Sequence, residues 1–477
     1  MSTFDSVGFT ASGTRDVSRY LAGLHEQMKT SRRLCLGYPI NHKLNYAELA
    51  PFLNIALNNL GDPYESNAGL PHTRHMEREV LDHFARLWHG ELVTAESGDG
   101  MWGYLLSMGA TEGNLYALWN ARDYLSGKRL IHGVPPPMAM RTPLLFFSDQ
   151  AHSSVVKSAG VLSLETFYEA GNHHYPGQCP ITTDGSWPAG VPSVIGSVDT
   201  EALAALVDFF CGKGYAPVIL LNLGSTFKGA YDDPEAVWRA VRPVLERHGV
   251  CIDAADRTRQ EYWIHVDGAL GAAYLPYLEM AKRSGSTQEC GPTFDFRLPY
   301  ISSIVVSSHK WFGAPSPGGL YMTRQKLRVA PPSRPEYYDS PDSTLASSRN
   351  GFSALAFWYA LSTVRPDQYA DEAARCNALA EYAYNSMREL ANRHAIWCER
   401  APQSLAIQFT RPGQKLFDRF RLSAQGNAVH IVVMPHVDRE AIDELLDALE
   451  HEQMESSCTT LLQPHQKHLS SLPLRSE

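Results

Sequence analysis

Hydrophobic and polar positions follow one another along the chain in blocks that predict short buried strands between amphipathic helices. Compact apolar runs predict strands near 103–107, 144–148, 217–222, 262–266 and 301–306. Helical spacing of apolar residues predicts helices over 14–28, 49–60 and 77–88. Strands that alternate with helices in this way are typical of a mostly parallel sheet with helices on both faces.

The pattern changes after Gly351, where long helices mix with short strands. This change predicts a smaller α/β domain built on its own sheet. A segment rich in Gly, Pro and His, residues 172–197, predicts an inserted surface loop. The predicted organisation is an N-terminal helical segment that packs on a partner subunit (1–60), a large domain (61–345), a small C-terminal domain (346–454) and a disordered tail (455–477).

Composition narrows the class of protein. The 477 residues are 44% hydrophobic and 19% charged, which is the profile of a globular protein, and the net charge is −9. This acidic balance, without a Lys/Arg-rich run, argues against nucleic acid or an anionic membrane as a partner. The chain shows no apolar signal core and no apolar run long enough to span a bilayer. Eight scattered cysteines without a CxxC pair argue against a metal site or a disulfide framework and predict a reduced, cytoplasmic protein.

Lys310 is the first candidate for chemistry. It follows the β-branched run 304–306, at the point where a buried strand reaches the surface, with large apolar residues after it. Partial desolvation favours the neutral amine, which is the nucleophile needed to form an imine. The alternative is a lysine whose stem is buried while its ammonium group reaches solvent at the strand end.

Polar residues follow the other predicted strands in the same way. The candidates are Thr111, His152, Ser225, Asp267 and His309. A small-residue turn that feeds a helix, as before Thr111, offers N–H groups to an anion. An acid at the end of a buried strand, as at Asp267, needs a cationic partner. Since ligands of open α/β sheets bind beyond the carboxyl ends of strands, these residues predict a single site.

With Lys310, Asp267 and His152 together, the chain resembles the group II pyridoxal-phosphate (PLP)-dependent amino-acid decarboxylases, in the branch that holds bacterial histidine decarboxylase and plant serine decarboxylase. The motifs that carry the resemblance lie at 36–39 (LGYP), 58–63 (NNLGDP), 111–114 (TEGN), 149–154 (DQAHSS), 265–269 (HVDGA), 308–310 (SHK) and 347–351 (SSRNG). The resemblance implies PLP-dependent fold type I, the aspartate aminotransferase-like α/β fold. It also implies a large domain with a mostly parallel seven-stranded sheet, a small C-terminal α/β domain, and a homodimer with active sites at its interface.

The resemblance also implies roles for individual residues. Lys310 would bind PLP covalently, Asp267 would pair with the pyridinium nitrogen, and His152 would stack on the ring. Tyr337 would return a proton to the substrate, with Tyr338 as the alternative. The other implied cofactor contacts are Ala110, Thr111, Ser307 and His309 at the phosphate, Ser348 at the phosphate of the neighbouring subunit, Ser225 or Thr226 beside the ring hydroxyl, and Ala269 on the second face of the ring.

The implied activity is decarboxylation of an L-amino acid to a primary amine and CO2, of the histidine or serine type. A small aliphatic substrate such as valine or leucine is the alternative. An aminotransferase or an amine-forming oxidase would use the same residues, since the cofactor core does not determine which bond breaks. A non-enzymatic scaffold would have lost Lys310, Asp267 or His152, and all three are present. Gly268 stands where the family often has Ala, and we expect it to loosen the site slightly.

Overall fold

The computed structural model describes residues 17–65, 71–93, 100–132, 140–250, 259–331, 333–336, 340–394 and 396–462. The helices in this part of the chain are α1 Val17–Ser31, α2 Arg74–Leu87, α3 Ala110–Leu125, α4 Ser154–Leu162, α5 Phe167–His174, α6 Thr200–Cys211, α7 Pro234–Arg247, α8 Gly271–Arg283, α9 Gly351–Thr363, α10 Pro366–Arg393, α11 Gln414–Arg419 and α12 Arg439–Leu462. The strands are β1 Met101–Leu106, β2 Thr142–Phe147, β3 Ser193–Val194, β4 Ser197–Val198, β5 Tyr215–Asn222, β6 Trp263–Asp267, β7 Ser303–Ser307, β8 Gly319–Arg324, β9 Cys398–Glu399, β10 Ala406–Thr410, β11 Ser423–Gln425 and β12 Ala428–Val432. No helix of the described ranges is both long and apolar enough to cross a membrane.

The central sheet has the strand order β1-β8-β7-β6-β5-β2. Strands β2, β5, β6 and β7 pair in parallel, and β8 is antiparallel to both of its neighbours. Along β5, Val218 and Leu220 join a core cluster with α3 and α4, while Ile219 and Leu221 join the larger core on the other face. Because successive side chains of a strand point to opposite faces, this alternation shows that both faces are covered. The predicted mostly parallel sheet with helices on both faces is confirmed.

The sheet has six strands in the described part of the chain, where the resemblance implied seven. Beyond the edge strand β2, the pairing consists of two isolated parallel bridges, Leu145 with Thr166 and Ser148 with Val191. Thr166 is already the N-cap of α5, and its side chain and that of Glu169 form a reciprocal capping box. At Thr166 the chain therefore turns into a helix after one residue of pairing, and at Val191 the pairing is again limited to one bridge, so no seventh strand forms in the described residues.

The second sheet is antiparallel, has the order β11-β12-β10-β9, and packs against α10. The N-terminal segment attaches to this sheet through Leu36, whose backbone donates to Phe420 and accepts from Val432. Five residues further along, the backbone N–H of Asn41 donates to the carbonyl of Lys310 over 3.0 Å. One short segment therefore connects the small sheet with the turn that carries Lys310.

Two helix boundaries differ from the predictions. The helix predicted over 49–60 is only a 3-10 helix, Ala47–Asn54, which contains Pro51; after it the chain is extended, and Asn58 forms a bridge with Asn350. The tail predicted to be disordered from residue 455 begins as helix, because α12 continues to Leu462.

The segment 172–197 is more than the predicted surface loop. Its Trp187 is buried, stacks edge-on against Phe209, and donates from its indole to the carbonyl of Tyr175 over 2.9 Å. The segment also contains the short strands β3 and β4. A bulky aromatic anchor explains why a sequence rich in Gly and Pro is nevertheless held against the core.

Candidate active site

A cavity of about 280 Å³ opens beyond the carboxyl ends of the strands that pair in parallel. It is lined by Met108, Ala110, Thr111, Asn114, His152, Ser154, Asn222, Gly224, Ser225, Thr226, Asp267, Ala269, Ser307, His309, Lys310 and Pro317. Ten of these residues are among the predicted site residues, and they come from the ends of five different strands. The structure therefore brings together residues that are up to 200 positions apart in the sequence, from Ala110 to Lys310.

Lys310 lies in the turn that follows β7. Its backbone carbonyl is held by Asn41 and Gly313, and the fully buried rings of Trp311 and Phe312 come directly after it. Burial lowers the pKa of the Lys310 amine, and the charge of Asp267 partly opposes this shift. A lowered pKa increases the fraction of neutral amine, which is the form that can act as a nucleophile.

Asp267 is the last residue of β6 and is almost completely buried. Its Oδ2 accepts a 2.6 Å hydrogen bond from the amide of Asn114, and its Oδ1 accepts from the backbone N–H of Ala269 over 3.2 Å. Both bonds hold the carboxylate in one orientation. A buried carboxylate that lines the cavity fits a protonated ring nitrogen.

His152 lies at the turn between β2 and α4. Its Nδ1 is within hydrogen-bond distance of both the backbone N–H and the hydroxyl of Ser154, at 3.2 and 2.7 Å. Burial lowers the pKa of His152, so the imidazole is neutral, and with Nδ1 accepting, its proton is on Nε2. A neutral aromatic ring in this position fits a flat cofactor.

The turn before α3 forms the end of the cavity suited to an anion. The carboxylate of Glu112 accepts the backbone N–H groups of Ser107 and Met108 at 2.7 and 2.9 Å, which holds the turn in place. Gly109 has a φ of +69°, and a Cβ there would lie 2.9 Å from a ring carbon of His309. The absence of a side chain at Gly109 therefore leaves room for the His309 ring beside the start of α3, where the backbone N–H of Ala110 donates to the hydroxyl of Ser307 over 3.2 Å, and a helix start of this kind suits a phosphate. Together with the amine and the buried carboxylate, this donor set fits PLP.

Two predicted site residues are not in this cavity. Ser348 lies on the surface, where its hydroxyl accepts a 3.1 Å hydrogen bond from the amide of Asn58. Tyr337, together with its alternative Tyr338, lies outside the described residues.

Sequence reasoning missed several cavity residues, and the most informative is Asn114. It lies one helical turn after Ala110 on α3, so it faces the same side of the helix as the residues at the anion end. This helical spacing within the motif 111–114 is the signal that could have identified it. Asn222 was also missed, although it is the last residue of β5 and the strand-end rule would have selected it.

Gly268 does not loosen the site as we expected. A Cβ at this position would lie 2.3 Å from the Cβ of Ala272 and 3.0 Å from the carbonyl oxygen of Val305, so the start of α8 already fills the space. We therefore expect Gly268→Ala to force the helix away from β7 and to lower the free energy of unfolding by about 1–3 kcal/mol. Thermal unfolding with and without PLP measures this effect. A Gly268→Ala protein as stable as the wild type would contradict the observed packing.

Three comparisons with known proteins agree with this site. Residues 189–409 match the pyridoxal-dependent decarboxylase conserved domain. Serine decarboxylase 2 of Oryza sativa subsp. japonica is 30% identical over 434 residues, covering 91% of this chain and 78% of that protein. Histidine decarboxylase of Solanum lycopersicum is 31% identical over 438 residues, covering 91% and 88%. The crystal structure of L-methionine decarboxylase from Streptomyces sp.590 superposes with a TM-score of 0.86 at 38% identity and covers 94% of this chain and 97% of that one. The chain therefore belongs to the pyridoxal-dependent decarboxylase family and is a PLP-dependent amino-acid carboxy-lyase.

Proposed function

We propose that the protein decarboxylates an L-amino acid with an uncharged, apolar side chain of the methionine type. The observation that carries this proposal is the chemistry of the cavity wall. In the described part of the wall, the titratable side chains are His152, Asp267, His309 and Lys310, which are the groups suited to the cofactor. Met108 and Pro317 add apolar surface. A charged substrate side chain would find no counter-charge there beyond the groups that hold the cofactor.

The polar residues at the end of β5 support the same proposal, because they form hydrogen bonds with other residues of the protein. The amide of Asn222 donates to the hydroxyl of Ser148 over 2.9 Å, and the hydroxyl of Ser225 accepts from Ala230 over 3.1 Å. A site that selects a polar substrate gains specificity from hydrogen bonds that the substrate completes. The 38% identity to L-methionine decarboxylase, compared with 30–31% to the serine and histidine decarboxylases, also favours the apolar class.

Histidine or serine is the second candidate class. The relatives named for these two substrates cover most of the chain, and the hydroxyl-bearing residue Thr226 lines the cavity. A substrate imidazole or hydroxyl could bond to that residue.

In this proposal each predicted site residue has a separate task. Lys310 would hold the cofactor covalently, and Asp267 would keep a proton on its ring nitrogen. His152 and Ala269 would hold the two faces of the ring. When bound, PLP provides an electron-withdrawing ring that accepts the electron pair left on Cα as the carboxylate leaves as CO2. The phosphate group would be held by Ala110, Thr111, Ser307 and His309. Ser225 or Thr226 would lie beside the ring hydroxyl.

Tyr337 is proposed to deliver the proton that converts the decarboxylated Cα into the amine product. A comparison of Tyr337→Phe with Tyr338→Phe tests this assignment, because only the first should slow amine release while PLP binding is retained. A normal amine rate in Tyr337→Phe would move the role to Tyr338.

We further propose that the protein is a cytoplasmic homodimer. The exposed apolar residues of α1 support the dimer, since Val17, Leu21 and Met28 are each more than half exposed in the single chain. In this dimer, Ser348, which lies on the surface, would reach the phosphate bound in the site of the neighbouring subunit. Within each subunit, residues 61–345 would form the PLP-binding domain and residues 346–454 the small domain. Six cysteines whose side chains the structure describes, Cys35, Cys179, Cys211, Cys290, Cys376 and Cys398, are free thiols, which favours a reducing compartment. A monomer with full activity in analytical ultracentrifugation would contradict the dimer.

The substrate is tested by measuring CO2 and amine release from the PLP-loaded protein with a panel of L-amino acids. We expect kcat/KM for methionine to exceed that for serine and histidine by about tenfold or more, and leucine and valine to lie between, because a missing methylene or a misplaced polar group costs about 1–3 kcal/mol. The Lys310→Ala protein serves as the control for spontaneous release. A preference for histidine or serine would overturn the apolar substrate class. An oxo acid without CO2 would instead indicate an aminotransferase, and an aldehyde released with CO2 in place of the amine would indicate an amine-forming oxidase.

A further inference from the structure

A chain of four hydrogen bonds runs from the interior of the protein to the carboxylate of Asp267. The indole of Trp263 donates to the hydroxyl of Ser303 over 3.1 Å, and this hydroxyl is 2.8 Å from Nδ1 of His265. Nε2 of His265 is 3.0 Å from Oδ1 of Asn114, and the amide of Asn114 is 2.6 Å from Oδ2 of Asp267. The four residues behind Asp267 are at most 1% exposed, so water does not replace any of these bonds.

The chemistry of its two ends determines the direction of this chain. An indole N–H can only donate, and an ionised carboxylate can only accept. The amide of Asn114 must therefore donate to Asp267, which leaves its oxygen to accept a proton from Nε2 of His265. Burial lowers the pKa of His265 to about 4, so the neutral ring has an unprotonated Nδ1 that accepts from the hydroxyl of Ser303. Every donor in the chain then points towards Asp267.

We propose that Asn114 and His265 are positioning residues for the reaction: they hold the Asp267 carboxylate in the orientation that faces the ring nitrogen of the cofactor. This inference rests on the proposed role of Asp267. Neither residue needs to touch the reacting atoms, since Asn114 acts through Asp267 and His265 acts through Asn114. Hydrogen bonds in a low-dielectric interior polarise one another, so a chain with all donors in one direction strengthens its last bond, the one to Asp267.

The first test replaces Asn114 with Leu, which keeps the volume of the side chain and removes both of its hydrogen bonds. We expect kcat to fall by about 10- to 100-fold, the range that corresponds to one hydrogen bond to a charged group, and we expect PLP to dissociate more readily. KM for the amino acid should change by less than about threefold, because the substrate side chain is not involved. Equilibrium dialysis of PLP and steady-state kinetics at saturating PLP separate these two effects.

Asn120→Leu is the matched control. Asn120 lies on the same helix, is buried like Asn114, and bonds the backbone at Leu327 and Val329 instead of Asp267. Both variants should lower the melting temperature, but only Asn114→Leu should change PLP affinity and kcat per PLP-loaded site. Equal PLP affinities and kcat values in the two variants would overturn the proposal, because Asn114 would then have only a structural role.

His265→Phe keeps the test decisive if Asn114→Leu does not fold, and a double variant tests whether the two residues act together. His265→Phe keeps an aromatic ring and removes both nitrogens, so it should lower kcat and PLP affinity in the same direction. The double variant Asn114→Leu, His265→Phe should be no worse in kcat than Asn114→Leu alone, since both act through one bond to Asp267. Additive losses in kcat would show that Asn114 and His265 act independently, and would overturn the proposal that their hydrogen bonds form one connected series.

Asp267→Asn separates the proposed function from this inference. If Asp267→Asn retains wild-type kcat and PLP affinity, the assigned role of Asp267 is wrong and the positioning chain is overturned with it. If Asp267→Asn loses both while Asn114→Leu and His265→Phe retain both, the role of Asp267 stands and the positioning proposal alone is overturned.

Discussion

Replacing Lys310 with Ala is expected to abolish amine and CO2 release and to remove the visible absorbance of the bound cofactor. The turn after β7 places this amine in the cavity with Asp267, and burial lowers its pKa, so a fraction of it is neutral and nucleophilic. Loss of a covalent catalytic group lowers kcat by an amount on the order of 10⁴-fold or more. Absorbance spectra of the PLP-loaded protein, together with CO2 release, measure both effects.

Two control variants sharpen this experiment. Lys310→Arg keeps the positive charge but cannot become neutral, so we expect it to be as inactive as Lys310→Ala. Lys157→Ala removes an exposed lysine of α4, outside the cavity wall, and should retain both turnover and absorbance. Turnover by Lys310→Ala at more than about a hundredth of the wild-type rate would contradict the assigned role.

Arg349→Met is expected to lower the free energy of unfolding by about 3–5 kcal/mol, a larger loss of stability than we expect for Gly268→Ala. Arg349 forms a buried ion pair with Glu77, and the two side chains are 2% and 0% exposed. Glu77 also accepts the amide of Asn59 and the backbone N–H of Leu105, each at 3.0 Å. Removal of the guanidinium leaves the buried Glu77 carboxylate without its direct ion-pair partner, and breaking a buried pair from one side is strongly destabilising. Urea unfolding monitored by circular dichroism gives the free energy.

The double variant Glu77→Gln, Arg349→Met should recover part of this loss, because it removes the unpaired charge. Arg365→Met is the surface control. Its partner Asp367 is exposed, as Arg365 itself is, so the free energy of unfolding should stay close to that of the wild type. Equal stability of Arg349→Met and Arg365→Met would contradict the structural importance of the buried pair.

Arg349→Met should also weaken cofactor binding, although Arg349 does not line the cavity. The backbone N–H of Asn350, the next residue, donates to the hydroxyl of Ser107 over 3.1 Å, and Ser107 begins the turn at the anion end of the cavity. The ion pair therefore anchors one side of the proposed phosphate site from outside.

Much of the site could be predicted because one physical rule applies to the whole sheet. Parallel strands end at the same edge, so residues such as Thr111, His152 and Asp267 that follow buried strands come together whatever their separation in sequence. The same rule explains why Lys310 and Ser225 were found. Apolar runs were equally informative for the strands, since a strand covered on both faces has to be apolar throughout.

The features that could not be predicted depend on contacts between distant residues. Periodicity suggested a helix over 49–60, but Asn58 pairs with Asn350 instead, and no local pattern contains that information. The series of hydrogen bonds behind Asp267 could not be predicted for the same reason. Asn114 belongs to a helix, while His265 and Ser303 belong to two different strands. Each residue taken alone is typical of an ordinary core or helix position. The prediction of a seventh strand was wrong for the described residues for a local reason, since a capping box at Thr166 starts a helix after one residue of pairing.

The Glu77–Arg349 pair has a consequence for the order in which the protein folds during synthesis. The two residues are 272 positions apart, so α2 leaves the ribosome long before the partner of Glu77 has been made. Until then, burial of α2 against β1 would leave the Glu77 carboxylate without its hydrogen-bonded ion-pair partner, with the more distant charge of Arg74 on the same helix in its place, so this part of the core gains less from closing early. Final closure of the large domain therefore waits for the residues around Arg349, when most of the chain has already been translated. A nascent chain stalled before Arg349 should be cleaved readily by protease near α2, whereas one that extends past α9 should resist.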